Sequence, residues 1–204
     1  CGGAFTNQGI VAASITKGAA DRLEFAVQPG STQAGADLLP AVKMVDFGGN
    51  LIATDARTIT LALQANPGVD TLLGDLSGLT SNGVATWVDA DDLRLLVAAN
   101  GYTLRASHNG DNFLTTDTVD SLPFNISAGA PNSMVVTQQP VATAAGADIL
   151  LAVTVKDSLN NTVTASTDPI SIEAAINPGG WPLLTATSLT KTPVNGVVTW
   201  ADAD

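Results

Sequence analysis

Apolar and polar residues alternate over short runs along this chain, and no run of useful length follows the period of a helix. Such alternation predicts strands with one face toward a core. In these strands we expect Leu23, Met44 and Leu122 to point inward and Val45 to point outward. Turn sequences rich in Gly, Pro, Asn and Asp separate the runs. The clearest predicted strands occupy residues 22–27, 38–45, 58–63, 84–88, 102–107 and 122–126.

The number and spacing of these strands define the expected fold class. About seven short strands, one of them preceded by the hairpin signal Asn82-Gly83, predict an all-β, immunoglobulin-like antiparallel β-sandwich. The Cys…Trp…Cys spacing of antibody domains is absent from the sequence. The core must therefore rest on apolar packing.

A long segment of the chain occurs twice. Residues 35–92 return from residue 146 onward, with Asp46 and Asp157 separated by 111 positions and Trp87 and Trp200 by 113. A repeat of this length exceeds a solenoid unit and indicates an array of whole domains. The fold prediction is therefore of tandem sandwiches.

The repeat divides the chain into three parts. We expect residues 1–16 to be the last strand of a preceding repeat, residues 17–128 a complete domain, and residues 129–204 a second domain without its final strands. Two explanations for the isolated first strand and the shortened second domain stay open. We favour the explanation that the sequence is a window from a longer array of domains. The alternative is that residues 1–16 act as a donor strand for another subunit, through Phe5, Ile10 and Ile15.

Several motifs resemble bacterial immunoglobulin-like domains, the tandem repeats of invasin- and intimin-type adhesins and other large secreted or surface proteins. The matching motifs are MVDFGGNLI at 44–52, VKDSLNNTV at 155–163, NGVATW at 82–87, NGVVTW at 195–200 and GYTLRAS at 101–107. In the second copy Asn160-Asn161 replaces the Gly-Asn of the family's turn. The resemblance implies a sandwich fold that serves as a stalk, a spacer or a binding tip.

Composition narrows the classes of partner. Only 13% of the residues are charged, the net charge is −11 and the sequence pI is about 4.1. This balance argues against nucleic acid, which requires a basic face, and against an anionic membrane surface. No run of 18 apolar residues exists, so membrane insertion is not expected. Cys1 is the one cysteine and excludes a disulfide within the chain. We expect an extracellular or cell-surface location.

Candidate chemistry is sparse, and we expect no enzyme and no organic cofactor. His108, the one histidine, is interpreted as a solvated turn residue rather than a general base. Asp46 and Asp157 are expected to cap their turns. Trp181, which does not recur, is either a contact for a partner or a cap on its own domain.

An acidic cluster is the one candidate metal site. Its carboxylates could hold Ca²⁺, which takes six to eight oxygen ligands, although the favoured interpretation is a solvated acidic loop. The cluster consists of Asp89, Asp91, Asp92, Asp202 and Asp204.

The expected function is structural. We expect a stalk, adhesin shaft or fibre whose partners are neighbouring repeats or copies of itself, with strand complementation between subunits as one route of assembly. The alternatives are a module that binds a glycan or a protein, such as a host or matrix ligand, and accessory domains of a larger secreted enzyme.

Overall fold

The computed structural model describes residue 16 and residues 18–54, 56–108, 117–144, 147–176, 179 and 189–200. These residues form strands and no α-helix, with one 3₁₀ turn at Asp89–Asp91. The strands are β1 Arg22–Val27, β2 Thr32–Gln33, β3 Ala41–Val45, β4 Thr58–Ala65, β5 Ser77–Leu79, β6 Val84–Thr86, β7 Ala99–His108, β8 Thr118–Asp120, β9 Phe124–Ser127, β10 Ser133–Gln138, β11 Leu151–Lys156, β12 Ile170–Ser171, β13 Thr190–Lys191 and β14 Val197–Trp200.

The first domain, residues 18–128, is a sandwich of two sheets. One sheet has the order β1-β3-β6, and the other has the order β2-β9-β7-β4-β5 with β8 paired to β7. Neighbouring strands are antiparallel except for the short parallel pair β2–β9. The predicted all-β class of antiparallel sandwiches is confirmed.

Side chains from both sheets meet in one core. Met44 and Trp87 come from the first sheet side, and Ile59, Tyr102 and Leu104 come from the second, all at most 2% exposed. The polar atoms of the two large aromatic residues are satisfied. The Trp87 indole donates to the carbonyl of Asp75 at 2.8 Å, and the Tyr102 hydroxyl donates to the carbonyl of Val97 at 2.9 Å. A buried aromatic residue keeps its packing energy only if its polar end finds such a partner.

The second domain repeats the first sheet with the same strand register. Its sheet has the order β10-β11-β14. Leu23 pairs with Met44 in the first domain and Met134 with Val155 in the second, both shifted by 111 positions. The register shift within β1 recurs in β10 at the same offset. The backbone pairing therefore follows the sequence repeat.

The core of the second domain is smaller. It contains Val153, Val155, Val163, Ile170, Val198 and Trp200. In the first domain β7 and β9 cover the equivalent face with Tyr102, Leu104 and Phe124. The described part of the second domain holds no counterpart of these two strands. Met134 is 63% exposed, whereas its counterpart Leu23 is 2% exposed.

Two predicted side-chain orientations are wrong. Leu122 was expected to point inward and is 65% exposed, because Ser121 takes the inward position and accepts a hydrogen bond from the Leu104 N–H at 2.9 Å. Val45 was expected to point outward and is fully buried. It lies between Arg22 of β1 and Leu51, which returns from the following turn and pairs with it, so this end of β3 is enclosed.

The interpretation of His108 as a solvated turn residue is also wrong. His108 is the last residue of β7, it pairs in register with Ile59, and its side chain is fully buried. Its Nε2 lies 3.4 Å from Oδ1 of Asp117.

Within the described ranges, no helix is long and apolar enough to cross a membrane.

Candidate functional site

The carboxylate of Asp157 accepts four hydrogen bonds from other described residues and organises the 157–161 turn. Its Oδ1 accepts hydrogen bonds from the N–H groups of Leu159 at 2.9 Å and Asn161 at 2.7 Å. Its Oδ2 accepts from the N–H of Gly129 at 2.8 Å and from Nδ2 of Asn161 at 3.0 Å. The carboxylate thus fastens the turn to the segment that enters from the first domain.

The sequence favours this turn for local reasons. Asp and Asn side chains readily bond to backbone groups a few residues away. Asn160 has φ +68°, a left-handed conformation that Asn tolerates better than most residues. The Asp157 N–H donates to the carbonyl of Asn161 at 3.0 Å and closes the turn.

The side chain of Asn161 joins the two domains directly. Its Oδ1 accepts a hydrogen bond from the Ala98 N–H at 2.8 Å, and its Nδ2 donates to the carbonyl of Leu96 at 2.9 Å. Asn161 is 8% exposed. A buried amide that lost these partners would be costly, so the two bonds fix the contact between the domains.

The 95–98 loop of the first domain is held by hydrogen bonds within its own domain. Oδ2 of Asp70 accepts from the N–H groups of Leu96 at 2.6 Å and Val97 at 2.8 Å. The carbonyl of Val97 accepts a hydrogen bond from the Tyr102 hydroxyl, and the carbonyl of Leu95 accepts one from the Gly35 N–H. The Leu96 carbonyl and the Ala98 N–H are therefore the groups of this loop that bond to the second domain.

An apolar contact lies beside the polar one. Gly35 has φ +83°, and a Cβ atom built on it would lie 3.2 Å from Cδ1 of Leu159. The absence of a side chain at Gly35 thus lets the second domain approach the pole of the first.

The first domain has a matching turn at residues 46–50, which is equivalent in the repeat to the 157–161 turn of the second domain. Oδ1 of Asp46 accepts from the Asn50 N–H at 2.8 Å, and Oδ2 accepts from the Gly18 N–H at 2.9 Å. Nδ2 of Asn50 lies 3.1 Å from both carboxylate oxygens. Gly49, with φ +82°, takes the place of Asn160.

These hydrogen bonds lower the pKa of both carboxylates. The pKa of Asp46 falls to about 2 because Gly18 and Asn50 donate to the ionised form, against a smaller opposing effect of burial. For Asp157, burial raises the pKa, but the hydrogen bonds from Gly129, Asn161 and Leu159 together lower it by a larger amount. The pKa of Asp157 is therefore below its usual value. Both carboxylates are charged at neutral pH.

Of the acidic cluster predicted from the sequence, the structure describes Asp89, Asp91 and Asp92. Oδ2 of Asp91 accepts from the Val88 N–H at 2.8 Å, and Oδ1 of Asp92 pairs with Arg94 at 2.7 Å. No group of three or more metal-ligating side chains occurs among the described residues, and Asp202 and Asp204 lie outside them. The calcium site stays a prediction.

The other sequence-based candidates also lie outside the described ranges. These are Phe5, Ile10 and Ile15 of the candidate donor strand, and Trp181.

Sequence reasoning assigned Asp46 and Asp157 to turn capping, which the structure bears out, but it missed their second role at the domain entry. The available signal was the recurrence of Gly18 and Gly129 at the same offset as Asp46 and Asp157. The bridging role of Asn161 had no comparable signal, because its partners are backbone groups.

No protein-family model and no curated protein matches the chain. Among solved structures, it is similar to domains 5–6 of the S-layer protein SbsC, with 16% identity and a TM-score of 0.34, over 78% of this chain and 74% of that chain. It is also similar to domains 4–9 of the surface layer protein SbsC, with 18% identity and a TM-score of 0.36, over 78% of this chain and 24% of that one.

Proposed function

We propose that this chain is a structural segment of an extracellular, cell-surface protein, in which stacked β-sandwiches form a stalk or shaft. The observation that carries the proposal is the bridging of two domains by Asn161, which bonds to Leu96 and Ala98 across the junction. Domains that only needed to be tethered would not require a buried amide at their contact.

The connection between the domains supports the same function. Strand β9 ends at Ser127 and β10 begins at Ser133, and the segment between them is itself bonded to the second domain. The Gly129 N–H donates to Asp157, and the Asn132 N–H donates to the carbonyl of Lys156 at 2.8 Å. A segment fixed in this way acts as a short stiff connection rather than a flexible linker.

The composition agrees with a surface role. The net charge is −11 and charged residues are 13% of the chain, half the usual quarter, so polar uncharged residues cover much of the surface. The strand ladders of each domain would resist extension along the stalk through their backbone hydrogen bonds.

Electron microscopy of native cells tests this function. An antibody raised against residues 18–128 should label thin projections or a layer at the cell surface, and released material should appear as rods of stacked globules. Labelling confined to the cell interior, or globules that hinge freely at every junction, would contradict the proposal.

Strand complementation between copies is a second candidate, favoured by the exposed face of β10. A groove of about 330 Å³ runs between β10 and Ile170, with Met134 and Val155 among its lining residues. In the first domain β8 contacts β1 on the equivalent side. A strand from residues 1–16 of another copy is the occupant we propose for this groove.

The test of complementation is the size distribution of the full chain and of a chain without residues 1–16. We expect concentration-dependent oligomers that disappear on deletion. A full chain that stays monomeric at high concentration would exclude this route of assembly, and the stalk proposal would be unaffected.

A further inference from the structure

We infer that the 46–50 turn of the first domain is a docking surface for the 95–98 loop of another domain of this repeat. The contact would have the same form as the one that the 157–161 turn makes within this chain. The inference rests on the proposed stacking of domains and names the surface and the partner that stacking uses.

The 46–50 turn and the 157–161 turn have equivalent hydrogen bonds. In each, Oδ1 of the aspartate accepts from the N–H four residues on, and Oδ2 accepts from a glycine N–H at the domain entry. In each, the asparagine Nδ2 donates back to the same carboxylate. The amide of Asn50 is therefore held in the orientation that Asn161 has at the junction.

The asparagines of the two turns differ in burial and in their partners. Asn161 is buried, and its Oδ1 accepts from Ala98. Asn50 is exposed, and within the described part of the chain its Oδ1 accepts no hydrogen bond. Asn50 thus presents an acceptor and an amide hydrogen at the positions that Ala98 and Leu96 fill on Asn161.

An exposed apolar side chain lies in the same turn as Asn50. Phe47 is 88% exposed and lies in the 46–50 turn. The counterpart of Phe47 in the 157–161 turn is Ser158. The counterpart of Leu159, which contacts Gly35, is Gly48. We assign the apolar contact of this surface to Phe47, because it lies in the same turn as Asn50 and aromatic residues are enriched at interfaces.

The partner follows from these features. It must offer a carbonyl and, two residues later, an N–H, next to a position without a side chain. The first domain has this arrangement at its opposite pole, in Leu96, Ala98 and Gly35. Because one domain carries both complementary surfaces, copies of it can add head to tail in an open-ended series.

A lengthened chain tests the inference. Residues 1–16 are replaced by a copy of residues 18–127, which then leads through Lys17 into Gly18 with the spacing of the natural junction. The Asn50 that is substituted belongs to the original first domain, whose 46–50 turn faces the added copy. Amide exchange at the Ala98 N–H of the added copy is measured in the unsubstituted chain and in the variant Asn50→Ala. We expect exchange to be roughly fivefold faster in the variant, as for the loss of one such hydrogen bond.

The natural junction in the same molecule is the internal control. Its own Ala98 amide, bonded to Asn161, should not respond to Asn50→Ala but should respond to Asn161→Ala. If the added junction is unprotected while the natural one is protected, the inference is wrong and the proposed stacking stands. If neither junction is protected, the proposed function fails as well.

Discussion

Nδ2 of Asn161 donates to the carbonyl of Leu96 at 2.9 Å, across 65 positions of the sequence and from one domain to the other. The same side chain accepts from the Ala98 N–H through its oxygen. The amide thus matches a carbonyl and an N–H on the opposing loop, and the orientation of its oxygen and nitrogen follows from those two partners.

Removal of this amide should loosen the junction. Asn161→Ala leaves the Leu96 carbonyl and the Ala98 N–H without their partner and also removes a bond to Asp157. We expect a loss of about 1–3 kcal/mol in the stability of the second domain, measured by chemical denaturation.

The matched control for this variant is Asn50→Ala, which removes the equivalent amide at an exposed position. In the unextended chain its effect should be clearly smaller, because only the bonds to Asp46 are lost. Equal effects of the two substitutions would show that the cross-domain bonds add nothing.

The two turn aspartates should make the protein sensitive to acid. Each has a folded-state pKa below its unfolded value, to about 2 for Asp46, so its stabilising effect is fully present above the unfolded pKa near 3.9. For Asp46 this stabilisation is lost as the pH falls from about 4 toward 2, and for Asp157 it is lost as the pH falls through its lowered folded-state pKa.

The substitution that isolates this effect is Asp46→Asn. Compared with the original chain, the variant should be less stable at pH 7 and should lose less stability between pH 4 and pH 2 in urea titrations. An unchanged slope of stability against pH over that interval would exclude Asp46 as a source of acid sensitivity.

A side chain at Gly35 should be poorly tolerated for two separable reasons. Gly35→Ala places a Cβ atom 3.2 Å from Cδ1 of Leu159 and forces alanine into φ +83°. We expect a loss of about 1–2 kcal/mol in the free energy of unfolding, of which the backbone part is about 1.

The second substitution Leu159→Ala separates the two causes. In a double-mutant cycle it should recover the part of the loss that arises from crowding, and the backbone part should remain. Strict additivity of the two substitutions would contradict a contact between Gly35 and Leu159.

Equivalent positions in β1 and β10 should respond differently to truncation. Leu23→Ala removes a side chain that is 2% exposed and should cost about 2–5 kcal/mol in unfolding free energy. Met134→Ala, at the equivalent but 63% exposed position, should change stability by about 0.5 kcal/mol or less in this chain. Similar losses at both positions would indicate that the face of β10 is covered in solution.

The strands and most core positions could be predicted from alternation, since burial on one face imposes a period of two. The prediction failed where a polar residue took an inward position, as Ser121 does beside Leu122, because its hydroxyl found the Leu104 N–H. It also failed for His108, which was expected to be solvated because the turn sequence Asn109-Gly110 follows it, whereas its side chain is fully buried at the end of β7.

The candidate site was only half predictable. Turn capping by Asp46 and Asp157 follows from residue type and spacing. The partners of Asn161 are backbone groups of residues 96 and 98, which carry no side-chain signal in a sequence, and their availability depends on Asp70 occupying the neighbouring N–H groups.

Residual dipolar couplings of the full chain measure whether Asn161 fixes the two domains in one orientation. Couplings from residues 18–108 and from residues 147–176 should fit one common alignment tensor, and Asn161→Ala should divide them into two tensors of different magnitude. Two independent tensors in the unsubstituted chain would contradict a single fixed orientation.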